Sequence, residues 1–319
     1  MDWFILSFVC ILGWGFADLF YKKGTDESDR YSHLKIAVWV GLVMGVVSLI
    51  LIPFSESISG FQSVFSNAVK YLPASAGYIL SMVIGYAGLR YLELSIVSPV
   101  QNASGAFSTV AMFVYFTVKG RITDFKDEFS ALDIIGTMAI VVGVIMLAVA
   151  EKRLSQSEIG NTENKKYRYG ALALIFPVLY CLFDTLGTAA DGIILDEDSG
   201  LGLGEIDVLV LYGITFFTAG IVCYVFLLIK TKKTYNPFNL KTEWPKAAAA
   251  VAEQFGQVFY VFAMSSKPLL ASPMVASYCI VSVIFSHLLL KEKLTVLQYI
   301  SIIPVIIGIV LLGISEGIS

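Results

Sequence analysis

Apolar stretches of about 20 residues recur along the whole chain, separated by short polar breaks. They can be placed at 3–21, 34–54, 72–92, 95–117, 131–150, 168–189, 205–229, 246–266, 269–290 and 296–315. A helix rises about 1.5 Å per residue and a bilayer's hydrocarbon is about 30 Å thick, so each stretch is long enough to cross. The pattern therefore predicts an all-α polytopic membrane protein with ten transmembrane helices. The charged stretch from Glu151 to Tyr167 divides the ten into five and five and reads as a flexible linker. Three units follow: a first five-helix repeat at 1–150, a linker at 151–167 expected in the cytoplasm, and a second repeat at 168–319.

Composition agrees with this division. Hydrophobic residues make up 57% of the chain and charged residues 15%, against roughly 25% charged in soluble domains. Mean hydropathy is +0.77. The first apolar run begins at Trp3 with no basic segment before it, which predicts a retained helix and not a cleaved leader. If the N-terminus lies outside, Lys22, Lys23, Arg30, Lys35, Arg90 and the basic residues of 151–168, 230–246 and 291–293 all fall on the inner side. The positive-inside rule then puts both termini outside, in what reads as a bacterial cytoplasmic membrane. Lys119, Arg121 and Lys126 run against this count, among Asp124, Asp127 and Glu128.

The halves echo one another. Asp184 follows Asp18 by 166 positions, Ser272-Pro273 follows Ser98-Pro99 by 174, and Gly308 follows Gly143 by 165; at the offset of 174, Tyr260 also falls on Tyr86. Repeats with an odd number of spans insert with opposite topology, the inverted-repeat plan whose solute site lies near the midplane between the halves.

Candidate chemistry concentrates on carboxylates in apolar surroundings. Asp18 and Asp184 each stand alone in a helix-length apolar segment, with an aromatic residue one turn earlier, Trp14 and Tyr180. A charge near the bilayer centre costs at least about 2.5 kcal/mol, so intramembrane acids usually face a wet cavity or a partner. The segment 246–266 is the most polar span. Its Glu253, Gln257, Tyr260 and Met264 share one face, with Gln254 beside them, and that face is expected to line a cavity. Pro99 followed by Gln101, Asn102, Ser104 and Gly105 predicts a bent stretch with freed carbonyls. Trp14, Tyr78, Tyr86, Tyr180, Tyr260 and Tyr278 could form an aromatic box for an organic cation.

Other residues read more plainly. Cys10, Cys181, Cys223 and Cys279 all sit in apolar runs without CxxC spacing and are expected to be buried and inert. His287 reads as a packed residue, Arg90 and Glu93 as a pair or headgroup contacts, and Asp133 and Asp191 as helix caps or loop charges. Gly200-Leu201-Gly202-Leu203-Gly204 has neither the preceding strand nor the following lysine of a phosphate loop and reads as a turn.

Gly13-Trp14-Gly15, the Ser-Pro pairs at 98–99 and 272–273, and Leu290-Lys291-Glu292-Lys293-Leu294 followed by Gln298 and Gly308 together resemble the drug/metabolite transporter superfamily. The closest likeness is to its ten-helix members with two EamA-type domains. The first half departs from that pattern at Lys119-Gly120-Arg121-Ile122, which lacks the acid and is followed by the insertion Thr123–Phe129. The resemblance implies a carrier without cofactors, whose partners are a small-molecule solute and the lipid bilayer, with no nucleic acid. No HExxH motif occurs and the chain has two histidines, which disfavours a membrane-embedded enzyme. With acids but no Lys or Arg in mid-span, the solute is expected to be an organic cation or amine-bearing compound. A neutral polar solute such as a sugar, held by Gln101, Asn102, Gln254 and Gln257, is the alternative. Asp18, Asp184 and Glu253 are the candidates for exchanging a coupling proton, because a cation and a proton can compete for the same carboxylate.

Overall fold

The computed structural model describes residues 2–58, 60–123, 129–159, 173–196, 201, 203–231, 235–292 and 294–318. No strand occurs among them. The α-helices are α1 (Trp3–Gly24), α2 (Ser32–Leu51), α3 (Phe61–Gly88), α4 (Leu94–Asn102), α5 (Ser104–Val118), α6 (Ala131–Ile159), α7 (Ile175–Leu195), α8 (Glu205–Thr231), α9 (Leu240–Ser266), α10 (Pro268–Ala276), α11 (Tyr278–Leu290) and α12 (Val296–Ile318). Each of the ten apolar windows contains helix. Residues 151–159, expected to open the linker, instead continue α6; the rest of the linker lies outside the described residues, as do Gly200 and Gly202 of the glycine-rich turn.

Among the described residues, seven helical segments are long and apolar enough to span a bilayer by length and composition: α1, Ser32–Phe54, Gln62–Gly88, α7, α8, Pro268–Leu290 and α12. The others fall short for local reasons. In α9, Glu253, Gln254 and Gln257 lower the hydropathy. The window at 95–117 is cut at Ala103 into helices of 9 and 15 residues. The cut has a chemical cause: Asn102 Nδ2 donates to the Ser98 carbonyl at 2.8 Å, taking the acceptor that its own amide would use, one turn after Pro99. Four residues after Pro273, Ser277 makes the same kind of break, its Oγ donating to the Met274 carbonyl at 2.6 Å. The two breaks touch, since a methyl group at Gly105 would lie 2.9 Å from the Ser272 carbonyl.

The helices pack in cross-half pairs: α1 on α9, α2 on α8, α3 on α7, α6 on α12, and the broken α4–α5 against the broken α10–α11. Glycines permit the close approach. A methyl group at Gly13 would lie 3.0 Å from Gly256 Cα, at Gly41 2.9 Å from Gly220 Cα, at Gly77 2.8 Å from Gly187 Cα, and at Gly136 3.0 Å from the Gly308 carbonyl. In lipid, where tails solvate apolar side chains as well as protein does, such small-residue seams supply the van der Waals contact that holds helices together. The reverse faces are apolar and exposed; on α1, Ile5, Phe8, Leu12 and Phe16 form one such stripe.

Glu292, the acid of the 290–294 turn, accepts from the Leu94 amide at 3.2 Å and the Ser95 amide at 3.0 Å, which caps the N-terminus of α4 from across the protein. Lys291 before it takes a left-handed φ of 60°, and His287 Nδ1 pairs with the Glu292 carbonyl at 2.9 Å. The helix dipole and two orphan amides favour a carboxylate there. Glu292→Gln is therefore expected to lower stability by about 1–2 kcal/mol in detergent unfolding while Lys291→Ala, whose side chain has no such role, changes it less. Equal effects would remove the cap from this account.

Candidate functional site

The mid-helix carboxylates turn inward because their helices present glycine and small residues to the seam and large apolar residues to lipid. Asp18 lies on the inner face of α1, five residues after the Gly13 crossing. Its Oδ2 accepts from Ser98 Oγ of α4 at 2.6 Å and from Ser282 Oγ of α11 at 2.7 Å. Asp184, near the middle of α7, accepts from Ser104 Oγ at 2.6 Å. Both acids thus bear on the broken helices, one on each side of the Ala103 break. Glu253 is buried on α9, and its own main-chain carbonyl takes the Trp14 indole N–H at 3.2 Å.

These groups surround one cavity. All eleven residues expected at a solute site line it: Trp14, Asp18, Tyr86, Gln101, Asn102, Tyr180, Asp184, Glu253, Gln257, Tyr260 and Tyr278. Tyr78 lines it too, whereas Gln254 is buried outside the lining. Trp14 stacks obliquely on Tyr260 with centroids 5.0 Å apart and meets Tyr278 edge-on at 5.5 Å. Glycines make the space: a side chain at Gly85 would strike the Tyr180 ring and the Gln101 amide. Tyr21, Met82, Thr188, Ser104 and Tyr212 also contribute, and among the described residues no Lys, Arg or His is in the lining. Tyr21 and Thr188 fall one helical turn after Asp18 and Asp184, a spacing that would have pointed to them. Nothing in the sequence around Tyr212 marks it.

Two polar atoms facing this region are buried without a hydrogen-bond partner among the described residues: Gln101 Nε2 and Gln257 Nε2. Unpaired buried donors each cost about 1–3 kcal/mol, so a group that accepted from them here would be stabilising. No three His, Cys, Asp or Glu side chains among the described residues converge as metal ligands.

Two readings from sequence need correction. Arg90 does not pair with Glu93; its guanidinium donates to the Arg30 and Glu27 carbonyls at 3.2 and 3.1 Å. Asp191 is neither a cap nor a loop charge. It is fully buried inside α7, which continues to Leu195, and Tyr71 Oη donates to its Oδ1 at 3.0 Å. Asp133 is a cap, since its carboxylate accepts from the Ser130 amide at 2.9 Å while Ser130 Oγ accepts from its own amide.

The sequence model of the EamA-like transporter family matches residues 199–314. That part of the chain, somewhat over a third of its length, is similar to the EamA-like transporter family. The family's description is that of transporters, and the apolar helices agree with a multi-pass membrane protein. A comparison with curated proteins finds no match. One crystal structure of a protein superposes with a TM-score of 0.59 over 98% of this chain and 97% of that one, at 10% identity, a likeness of fold alone. The EamA-like segment includes α8 to α11 and most of α12, so it supplies Tyr212, Glu253, Gln257, Tyr260 and Tyr278 to the cavity. Asp18 and Asp184 come from outside it.

Proposed function

We propose that this protein is a secondary transporter that moves a small organic cation or amine-bearing solute by alternating access between two inverted five-helix repeats, 1–150 and 168–319, joined by the 151–167 linker. The observation that carries the solute class is the cavity lining: three carboxylates and a ring of aromatic faces, with no basic side chain among the described residues that line it. A cation there meets both a counter-charge and ring quadrupoles, whereas an anion meets repulsion. The pairing of helices supports the repeat reading. Exchanging the halves turns the α1–α9 pair into α7–α3 and returns the other pairs to themselves, as a two-fold axis in the membrane plane requires. The count of basic residues supports an outer position for both termini and an inner one for the linker.

In this reading Asp18, Asp184 and Glu253 are shared by solute and proton, and binding of one displaces the other. The unpartnered amides Gln101 and Gln257 favour a second, neutral occupant such as a sugar. A thermal-shift screen of solutes grouped by charge separates these readings, since a ligand of the folded state raises apparent stability by mass action. Cations are expected to stabilise the protein and anions not. The stabilisation should weaken as pH falls, because the carboxylates bind a cation only when ionised. A screen in which only anions stabilise would overturn the reading, and a shift that grows on acidification would remove the competition.

A further inference from the structure

Asp191 lies two turns beyond Asp184 on α7, about 10 Å farther along the helix, and outside the cavity lining. It is 0% exposed. Besides Tyr71 on Oδ1, Tyr78 Oη stands 3.4 Å from Oδ2; Tyr78 Oη also pairs with Tyr260 Oη at 2.7 Å, and Tyr260 lines the cavity. A short run of hydroxyls therefore joins the carboxyl to the solute site. The groups that face it are Tyr71 and Tyr78 from α3, Tyr212 from α8 and Tyr260 from α9. Next to it, Gly192 meets Met112 of α5, Met264 of α9 and Pro268 of α10, none of them titratable. No Lys, Arg or His among the described residues pairs with Asp191. Five residues on, Asp196 and Arg121 form an ion pair at 2.6 Å where α7 ends.

The glycine crossings fix what Asp191 corresponds to. Gly13 meets Gly256 on α1 and α9, and Gly187 meets Gly77 on α7 and α3. Gly187 follows Gly13 by 174 positions, the offset of the two Ser-Pro pairs. Asp191 follows Asp18 by 173, and both lie just C-terminal of their crossing, whereas Asp184 lies three residues before its own. In the register set by packing, Asp18 falls on Gly192, so Asp191 is one residue from the equivalent place and Asp184 is eight residues from it. If the halves are inverted, the two carboxyls sit on opposite sides of the midplane: Asp18 in the cavity, Asp191 in the closed side.

We propose that Asp191 is a proton-binding site on the closed side of the pathway, next to the place in the second half that answers to Asp18. In the closed arrangement the proton resides on Oδ2 and is donated to Tyr78 Oη, while Tyr78 donates its own proton to Tyr260 Oη and Tyr71 continues to donate to Oδ1. When the α7 C-terminal side opens, the Oδ2–H bond breaks, the proton passes to water at that mouth, and the carboxylate left behind can take a proton or a cation from that compartment. The proposal rests on the inverted-repeat reading above, and its test needs no solute, so the two can fail separately.

The test is infrared spectroscopy of the whole protein in lipid bilayers at neutral pH, comparing wild type with D191N, D191E and Y71F. Wild type is expected to show a protonated-carboxyl stretch that is lost in D191N, and that shifts in D191E and again in Y71F, where one donor to the carboxyl is gone. Transfer to heavy water is expected to move this band within minutes, as opening exposes the group. Superimposable wild-type and D191N spectra would overturn the proposal. So would a band that fails to exchange over many hours, which belongs to a permanently enclosed structural acid. If D191N does not fold, the D191E and Y71F shifts decide.

Discussion

Asn in place of Asp18 is expected to weaken the binding of an organic cation by roughly 30-fold or more while leaving the fold intact. The side chain accepts hydroxyl hydrogens from Ser98 at 2.6 Å and Ser282 at 2.7 Å, both onto Oδ2. An asparagine oxygen can still accept them, so the contacts with α4 and α11 survive. What goes is the charge, in a cavity whose lining holds, among the described residues, no basic side chain to compete for it. Removing one partner of a desolvated charge pair costs about 2–5 kcal/mol, and the lower end of that range is already roughly 30-fold in affinity. Asp184→Asn is expected to follow the same course with a smaller structural change, because a single hydroxyl, Ser104, bonds its carboxylate. Titration calorimetry with the strongest stabilising cation from the charge-grouped screen measures the effect, and Asp133→Asn, a helix cap at the surface, serves as the control. Wild-type affinity in Asp18→Asn would move this acid from the binding site to a structural role and favour a neutral solute.

Much of this site is legible in the amino-acid sequence because burial in lipid leaves a strong trace. Polar residues in apolar windows are few, and each must find a cavity or a partner, so Asp18, Asp184 and Glu253 lead directly to their neighbours at helical spacing. The face defined by Glu253, Gln257 and Tyr260 comes from period alone. The failures also have physical causes. Asp191 itself ends the apolar window at 189, so it reads as a loop charge although the helix carries on to Leu195 with the acid enclosed. The first turns of α3 escape the hydropathy pattern because Gln62, Asn67 and Lys70 interrupt a stretch that is nonetheless helical from Phe61. The breaks at Ala103 and Ser277 depend on side chains capturing main-chain carbonyls, which a proline only hints at. Matching the halves by Asp18 and Asp184 gives an offset of 166, which disagrees with the glycine crossings; backbone approach is recorded in glycines and not in acids.

That record leads to the largest expected loss of stability, from Gly41→Val. Gly41 is where α2 crosses α8, and a β-carbon there would lie 2.5 Å from the Phe216 carbonyl and 2.9 Å from Gly220 Cα. Both obstacles are backbone, so no rotamer change relieves them and the helices themselves must separate. Overpacking usually costs about 1–3 kcal/mol, and a clash with a neighbouring helix's main chain belongs at or above the upper end. Lipid offers no hydrophobic force to hold the separated seam, so the loss of van der Waals contact along it is not offset. Gly220→Val is expected to cost less, because its nearest obstacle, Gly41 Cα, is 3.1 Å away and the carbonyls of Ala37 and Val38 lie at 3.4 and 3.5 Å. Gly317→Ala, near the end of α12 with nothing within 4 Å, is expected to be neutral or to add up to about 1 kcal/mol through helix propensity. The measurement is unfolding in detergent followed by tryptophan fluorescence, with size-exclusion profiles to detect species that never assemble. The order Gly41→Val, then Gly220→Val, then Gly317→Ala is what close crossing of α2 and α8 demands. A Gly41→Val protein as stable as wild type would mean that the two helices do not approach this closely.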